Sequence, residues 1–218
     1  MHDSIALRQQ IIDTCLTLRA QGYMFGTWGN VSVRLDDGNI LITPSKLDYA
    51  VMKPEDLPVI APDGRIVSGD RLPTSEREIH RGMLNARPDM TAVIHTHSPY
   101  AMACCALDDG IPVFSEEMCQ LFGGPVRLSE EFVPSDAHVA LGEMVCKSFG
   151  QDNVLLIRNH GPIVLGRSLE EAFVTCQVLE KTAQIYLNLL QSGKPIRIQS
   201  DEIVARGRDY FLNGYGKT

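Results

Sequence analysis

Three short stretches carry residue types that could do chemistry together. "TAVIHTHSPY" (91–100) sets His95 and His97 two apart in an apolar run. Side chains two apart on a strand point to one face, so both imidazoles are expected to leave a buried strand end together. Two adjacent imidazoles repel when protonated and cost free energy when buried without partners. A metal ion relieves both problems; two separately hydrogen-bonded histidines are the alternative. "PTSEREIH" (73–80) puts Glu76 and His80 on one helix face, and "RNHGP" (158–162) puts His160 where an apolar strand reaches a turn. Imidazoles with a carboxylate suit a borderline divalent ion such as zinc, manganese, cobalt or iron. Each stretch alone has a plain explanation: Glu76 complements a helix dipole, His160 serves a turn, and His80 is a packed or solvated helix residue. The combination makes Glu76, His95, His97 and His160 candidate ligands. Three neutral imidazoles and one carboxylate around a divalent ion leave net positive charge, which stabilises an anion.

Anion binding has its own candidates. "GTWGN" (26–30), "TPSK" (43–46) and "PTSE" (73–76) are short loops of Gly, Ser, Thr and Asn beside regular elements. Hydroxyls and free backbone N–H groups at a helix N-terminus bind phosphate, and Thr74 and Ser75 stand at such a place. Plain helix capping is the competing explanation.

These residues need elements to position them. "DSIALRQQIIDTCLTLRAQG" has one apolar helical face ending at Gly22. "NVSVRL" alternates as a strand, "DDGN" reads as a hairpin turn into "ILIT", and "DLPVIAPDGRIVSG" as strand, turn, strand. A helix is predicted from the "PTSE" caps to Pro88, a strand at "TAVIHTH", and a helix opened by Ser98 and Pro99. "NVLLIRNHGPIVLG" reads as two strands about a Gly-Pro turn. A capping box of Ser168 and Glu171 opens the longest helix, which Gly193 and Pro195 close. Interleaved helices with several hairpins favour an α/β fold with a mixed or largely antiparallel sheet over a doubly wound parallel one.

Composition narrows the class. The 218 residues are 44% hydrophobic and 22% charged, ordinary for a soluble protein with one sizeable core. No apolar window is long enough to span a bilayer, and the N-terminus lacks the pattern of a signal peptide. Six irregularly spaced cysteines without C-x-x-C read as reduced, mostly buried thiols of a cytoplasmic protein. A net charge of −7 without a basic run argues against nucleic acid as a partner, and the absence of spans against a membrane. A small anionic substrate stays open, its site built locally.

Taken together, "GTWGNVSVR", "LITPS", "LPTSEREIH", "VIHTHSPYA", "GGPV" and "NHGPIVLG" before the long "SLEEAF" helix resemble the class II aldolase/adducin family. The order and spacing match over nearly the whole chain, and the likeness is greatest to the family's sugar-phosphate aldolases. The resemblance implies one domain over 1–218, a three-layer α/β/α fold with a central, mostly antiparallel sheet, and a cyclic homotetramer with active sites between neighbouring subunits. It implies Glu76, His95, His97 and His160 as ligands of one divalent metal per chain, zinc foremost, and Asn30, Ser45, Thr74 and Ser75 as phosphate-binding residues. The implied activity is metal-dependent carbon–carbon cleavage of a small ketose phosphate to dihydroxyacetone phosphate and an aldehyde. An enediolate forms on the way, with Glu76 carrying its proton.

Departures from the family pattern keep the reaction open. "TPS" is followed by Lys46 where the aldolases carry glycine; the lysine adds a cation to the pocket or closes it. Trp28 replaces a small residue beside the same loops and narrows them. "GIPVFSEEMCQLFGG" (110–124) lacks the tyrosine that donates a proton from the adjacent subunit in the aldolases, and offers Glu116 and Glu117 instead. Glu117 is the candidate acid/base, with a helix-opening charge pair as the plain alternative. Tyr215 matches a family C-terminal tyrosine, or belongs to a frayed tail. Glu117 and Lys46 favour the family's dehydratases, decarboxylases and epimerases as the second reading. A non-catalytic adducin-like interaction domain has no need of metal ligands, and all four matching positions are retained here.

Overall fold

The computed structural model describes residues 1–215. Ser4 accepts a hydrogen bond from the Leu7 N–H and opens α1 (Ile5–Ala20), which buries Leu7, Ile11, Ile12, Cys15 and Leu18. Next come β1 (Asn30–Arg34), β2 (Ile40–Ile42), a 3₁₀ turn (Pro54–Asp56), β3 (Val59–Ile60), β4 (Ile66–Ser68), α2 (Arg77–Ala86), β5 (Ala92–His95) and α3 (Pro99–Cys105). The second half adds a short π-helix (Met118–Phe122), β6 (Arg127–Leu128), α4 (His138–Phe149), β7 (Val154–Ile157), β8 (Gly161–Gly166), α5 (Leu169–Gln191) and α6 (Asp201–Asn213).

The strands form one sheet in the order β4-β3-β2-β1-β5-β8-β7-β6. Every neighbouring pair is antiparallel except β6 with β7. Alternation along the strands builds two cores. Val31, Val33, Leu41, Ala92, Ile94, Leu156 and Val164 pack with residues of α1, α3 and α5. Their neighbours Ile40, Ile42, Val93, Leu155, Ile157, Ile163 and Leu165 pack with residues of α2 and α4. Burial on both faces explains why these strands read as continuous apolar runs. The expected three-layer α/β/α arrangement with a mostly antiparallel sheet is therefore present.

Several local expectations need correction. Strand β5 stops at His95, so His95 and His97 are not a same-face strand pair; the His97 N–H leaves the ladder and donates to the Tyr23 carbonyl at 2.9 Å. The turn before β8 is Arg158–His160, with Asn159 in the left-handed region (φ 54°), and Gly161–Pro162 already belong to the strand. Asparagine tolerates that conformation better than most residues. Glu76 is the residue before the first turn of α2, not within it, and its side chain makes no capping bond. The capping box of α5 is half-formed: Ser168 accepts from the Glu171 N–H, while the Glu171 carboxylate accepts from Arg167. Helices α4 and α6, strand β6 and the π-helix had no counterpart in the sequence reading.

Candidate metal centre and substrate cavity

The start of β1, the end of β5, the N-terminus of α2 and the turn between β7 and β8 meet at one end of the sheet. Asn30 and His95 are direct cross-strand partners. His95 shares the face of Val93, toward α2 and α4, and this aims its ring at Glu76. The His95 Nε2 lies 3.1 Å from the His97 Nε2 and 3.6 Å from a Glu76 oxygen. The His160 Nε2 lies 3.0 Å from the other Glu76 oxygen. The three imidazoles are mutually edge-on, with centroids 4.9, 4.9 and 5.4 Å apart. One ring nitrogen from each lies within 4.8 Å of the others. The sequence spacing of Glu76, His95, His97 and His160 thus becomes one cluster.

Backbone fit holds it together. A Cβ on Gly161 would sit 2.6 Å from the Thr96 carbonyl oxygen and 3.2 Å from the His95 ring, so the start of β8 lies against the His95–His97 segment as only glycine allows. The His95 Nδ1 lies 2.9 Å from the Pro162 carbonyl and must donate to it, since that oxygen can only accept. Its Nε2 is then a bare lone pair facing His97, the arrangement that metal-bound histidines show.

Charge agrees with that arrangement. Burial holds the His95 pKa below its ordinary value and lowers that of His97 to about 3, so both rings are neutral near pH 7. Burial also works against ionisation of Glu76. The neighbouring His95 and His160 rings and the Asn30 amide outweigh it and hold the carboxyl below the usual carboxylate range. Neutral imidazoles and an ionised carboxylate are the forms that bind a divalent cation. His160 adds a mark of its own: its buried Nδ1 has no hydrogen-bond partner among the described residues, while its Nε2 donates to Glu76. A cation held at Nε2 would require that proton to move to Nδ1. The residues fit a divalent metal.

The cluster is at one side of a cavity of about 320 Å³ whose walls include Asn30, Ser45, Lys46, Thr74 and Ser75. Loops 43–46 and 73–76 form one wall because they are zipped together. The Ser45 N–H donates to the Leu72 carbonyl at 2.9 Å and the Thr74 N–H to the Thr43 carbonyl at 3.0 Å. Lys46 adopts φ 56°, has no carboxylate partner among the described residues and is the one lysine or arginine of the lining. Trp28 is 67% exposed and stacks over His97 at the rim. Ser135 also lines the cavity, and no signal in the sequence marked it.

Asn30 does more than line a wall: its Nδ2 donates to Glu76 at 2.7 Å and its Oδ1 meets the His80 Nε2. His80 is therefore a packed helix residue, fully buried, and no part of the metal cluster. Two other candidates are not brought to the cavity of their own chain. Glu117 is half-exposed and paired with Lys181 at 2.5 and 2.6 Å. Tyr215 is exposed and lies against Tyr210 and Phe211 on the last helix.

Comparison with known proteins decides the family. Residues 9–187 match the Class II Aldolase and Adducin N-terminal domain. The chain belongs to this family. Among its curated relatives, the 5-methylthioribulose-1-phosphate/5-deoxyribulose-1-phosphate aldolase of Rhodospirillum rubrum is 34% identical over 91% of this chain and 88% of its own. The L-fuculose phosphate aldolase of Haemophilus influenzae is 34% identical over 90% and 89%. A solved L-fuculose 1-phosphate aldolase superposes with a TM-score of 0.90 at 28% identity, covering 96% of this chain and 97% of the other. As a class II aldolase the chain is an enzyme of a lyase family, one that uses a divalent metal, and the histidine cluster is where this class II aldolase can hold one. No helix among the described residues is long and apolar enough to cross a membrane.

Proposed function

We propose that this class II aldolase is a single-domain, divalent-metal-dependent enzyme cleaving a small ketose 1-phosphate to dihydroxyacetone phosphate and an aldehyde. One observation carries the reading: neutral His95 and His97 converge with His160 and an ionised Glu76 at the side of a cavity whose lining also holds the hydroxyl residues Ser45, Thr74 and Ser75 and a lysine without a carboxylate partner among the described residues. A bound divalent ion, zinc foremost with manganese, cobalt or iron as alternatives, would supply Lewis acidity toward the carbonyl and its neighbouring hydroxyl. Ser45, Lys46, Thr74 and Ser75 hold the phosphate, and Lys46 supplies its formal countercharge. The Glu76 Oε1 moves the proton to and from the reacting carbon. Trp28 covers the rim and limits water.

The proton on the other oxygen needs a second group. Glu117 and Tyr215 are surface residues outside their own chain's lining, which supports their delivery by a neighbouring subunit in a homotetramer with sites at its interfaces. The six free thiols support a reducing, cytoplasmic setting. Segment 110–124 has no tyrosine and an accessible Glu117. That favours one second reading, a dehydratase, decarboxylase or epimerase acting on a related sugar acid or sugar phosphate.

The test incubates the metal-reconstituted protein with a panel of ketose 1-phosphates and detects dihydroxyacetone phosphate with a coupled reductase. A metal-dependent signal lost in His95→Ala supports aldol cleavage. Silence across the panel, from protein that retains its metal, overturns it; dehydrated, decarboxylated or epimerised products abolished by Glu117→Gln would then establish the second reading.

A further inference from the structure

A buried hydrogen-bond chain ends on Glu76. Asn30 and Ser32 lie two apart on β1 and face α2. His80 sits one helical turn beyond Glu76. The His80 Nδ1 is 2.7 Å from the Ser32 hydroxyl, its Nε2 meets the Asn30 carbonyl oxygen, and the Asn30 amide nitrogen is 2.7 Å from the Glu76 Oε2. Ser32 and His80 are wholly buried and Asn30 is 4% exposed, so water supplies no substitute.

The chain can run in one direction only. An ionised Glu76 accepts and cannot donate, so Asn30 must present its NH₂ group. The Asn30 carbonyl then faces His80, which must offer Nε2–H. The His80 Nδ1 is left bare and accepts the Ser32 O–H. Rotating the Asn30 amide by half a turn would set its carbonyl against the carboxylate and its NH₂ against an N–H. The carboxylate and the His80 Nε2–H together oppose that rotation.

We propose that His80 is a positioning residue for the metal centre. Acting through Asn30, it fixes the Glu76 Oε2 and leaves the Oε1 toward His160 and the cavity. The inference rests on Glu76 being the carboxylate of the metal site. Partners that orient ligands in this way typically alter metal affinity or activity by about 10- to 100-fold when removed. His80 touches neither metal nor substrate, so its loss acts on the geometry of the carboxylate.

The test compares His80→Met, which fills similar volume but cannot donate, with His80→Gln, which can donate and accept. Equilibrium dialysis against Co²⁺ measures affinity, and the visible absorption of the bound Co²⁺ reports ligand geometry; turnover is measured beside them, and circular dichroism checks the fold. Expected is a roughly 10-fold or greater loss of Co²⁺ affinity with an altered spectrum in His80→Met. A fall in kcat with little change in KM accompanies it, and His80→Gln restores most of each. Wild-type affinity and spectrum in folded His80→Met overturn the proposal, as does an equal defect in both variants. Should His80→Met not fold, Ser32→Ala decides: it leaves the His80 Nδ1 without its donor, loosens the ring and gives a smaller loss in the same direction, and wild-type values overturn the proposal. His95→Ala runs in parallel. Unchanged Co²⁺ binding in His95→Ala overturns the metal-site reading itself; lost binding there with a normal His80→Met overturns the hydrogen-bond chain alone.

Discussion

Trp28 lies nearly parallel to His97, with ring centroids 6.0 Å apart and 16° between the planes. It is the single tryptophan of the chain. Its emission therefore reports the state of the His97 ring without any label. Co²⁺ added to the metal-free protein is expected to quench that emission saturably, and His97→Ala to abolish the effect. A titration that leaves the emission flat while dialysis shows bound Co²⁺ would place the ion elsewhere.

Lys46 offers a case where stability and binding pull apart. A non-glycine residue at φ 56° costs roughly 1–2 kcal/mol relative to glycine. Lys46→Gly is expected to raise unfolding stability by about 1 kcal/mol in urea titrations. The same change removes the cavity's one lysine or arginine and is expected to raise KM for a phosphorylated substrate about tenfold, with kcat less affected. A fall in KM would show that the lysine obstructs the pocket instead of serving it.

Acid should destabilise the metal-free protein through His80. Burial, helped by His95 and opposed by Glu76, lowers its pKa to about 3. The unfolded chain takes up a proton near pH 6.5 and the folded one does not, so stability is intact above pH 6.5 and falls as pH drops toward 3. At pH 5 the His80 share is about 2 kcal/mol. Urea melts at pH 7 and pH 5 check this: the loss between them is expected to be smaller by that amount in His80→Gln. Equal losses would mean that the folded protein protonates His80 readily.

Glu180 reaches from α5 to the first turn of α3, which begins two residues beyond His97. Its two oxygens accept the Tyr100 and Ala101 N–H groups at 2.8 and 2.9 Å, and it is 5% exposed. Glu180→Ala leaves the buried Ala101 N–H and the part-buried Tyr100 N–H without their acceptor, and is expected to cost about 1–3 kcal/mol of stability. Because the cap anchors the segment carrying His97, Co²⁺ affinity is expected to fall as well. Unaltered affinity in the folded variant would separate the anchoring of α3 from the metal cluster.

The sequence made much of this visible because its signals are short-range. The H-x-H spacing, the "NHGP" stretch and the capping residues before α2 each lie within a few residues, and the apolar runs announce strands buried on both faces. The role of His80 was invisible for the opposite reason. Its partners Ser32 and Asn30 lie 48 and 50 positions away, and a lone histidine on a helix looks the same whether solvated or holding a network. Asn30 is marked for phosphate by the family resemblance, which says nothing of a bond to Glu76 across 46 positions. Glu117 is marked by a departure from the family pattern in segment 110–124, and the Lys181 that pairs with it lies 64 positions on. The helix α4 escaped notice because no side-chain cap opens it.

The missing Cβ at Gly161 has a practical side for anyone recombining this scaffold with its relatives. The space that a methyl group needs there is filled by the Thr96 carbonyl, so segments 95–97 and 160–162 have been shaped against each other. A chimera that joins the first half of one enzyme to the second half of another cuts through this fit even when every ligand is preserved. Crossover points that move both segments together keep the cradle whole; those falling between them test how far two backbones can drift before a complete set of ligands no longer meets.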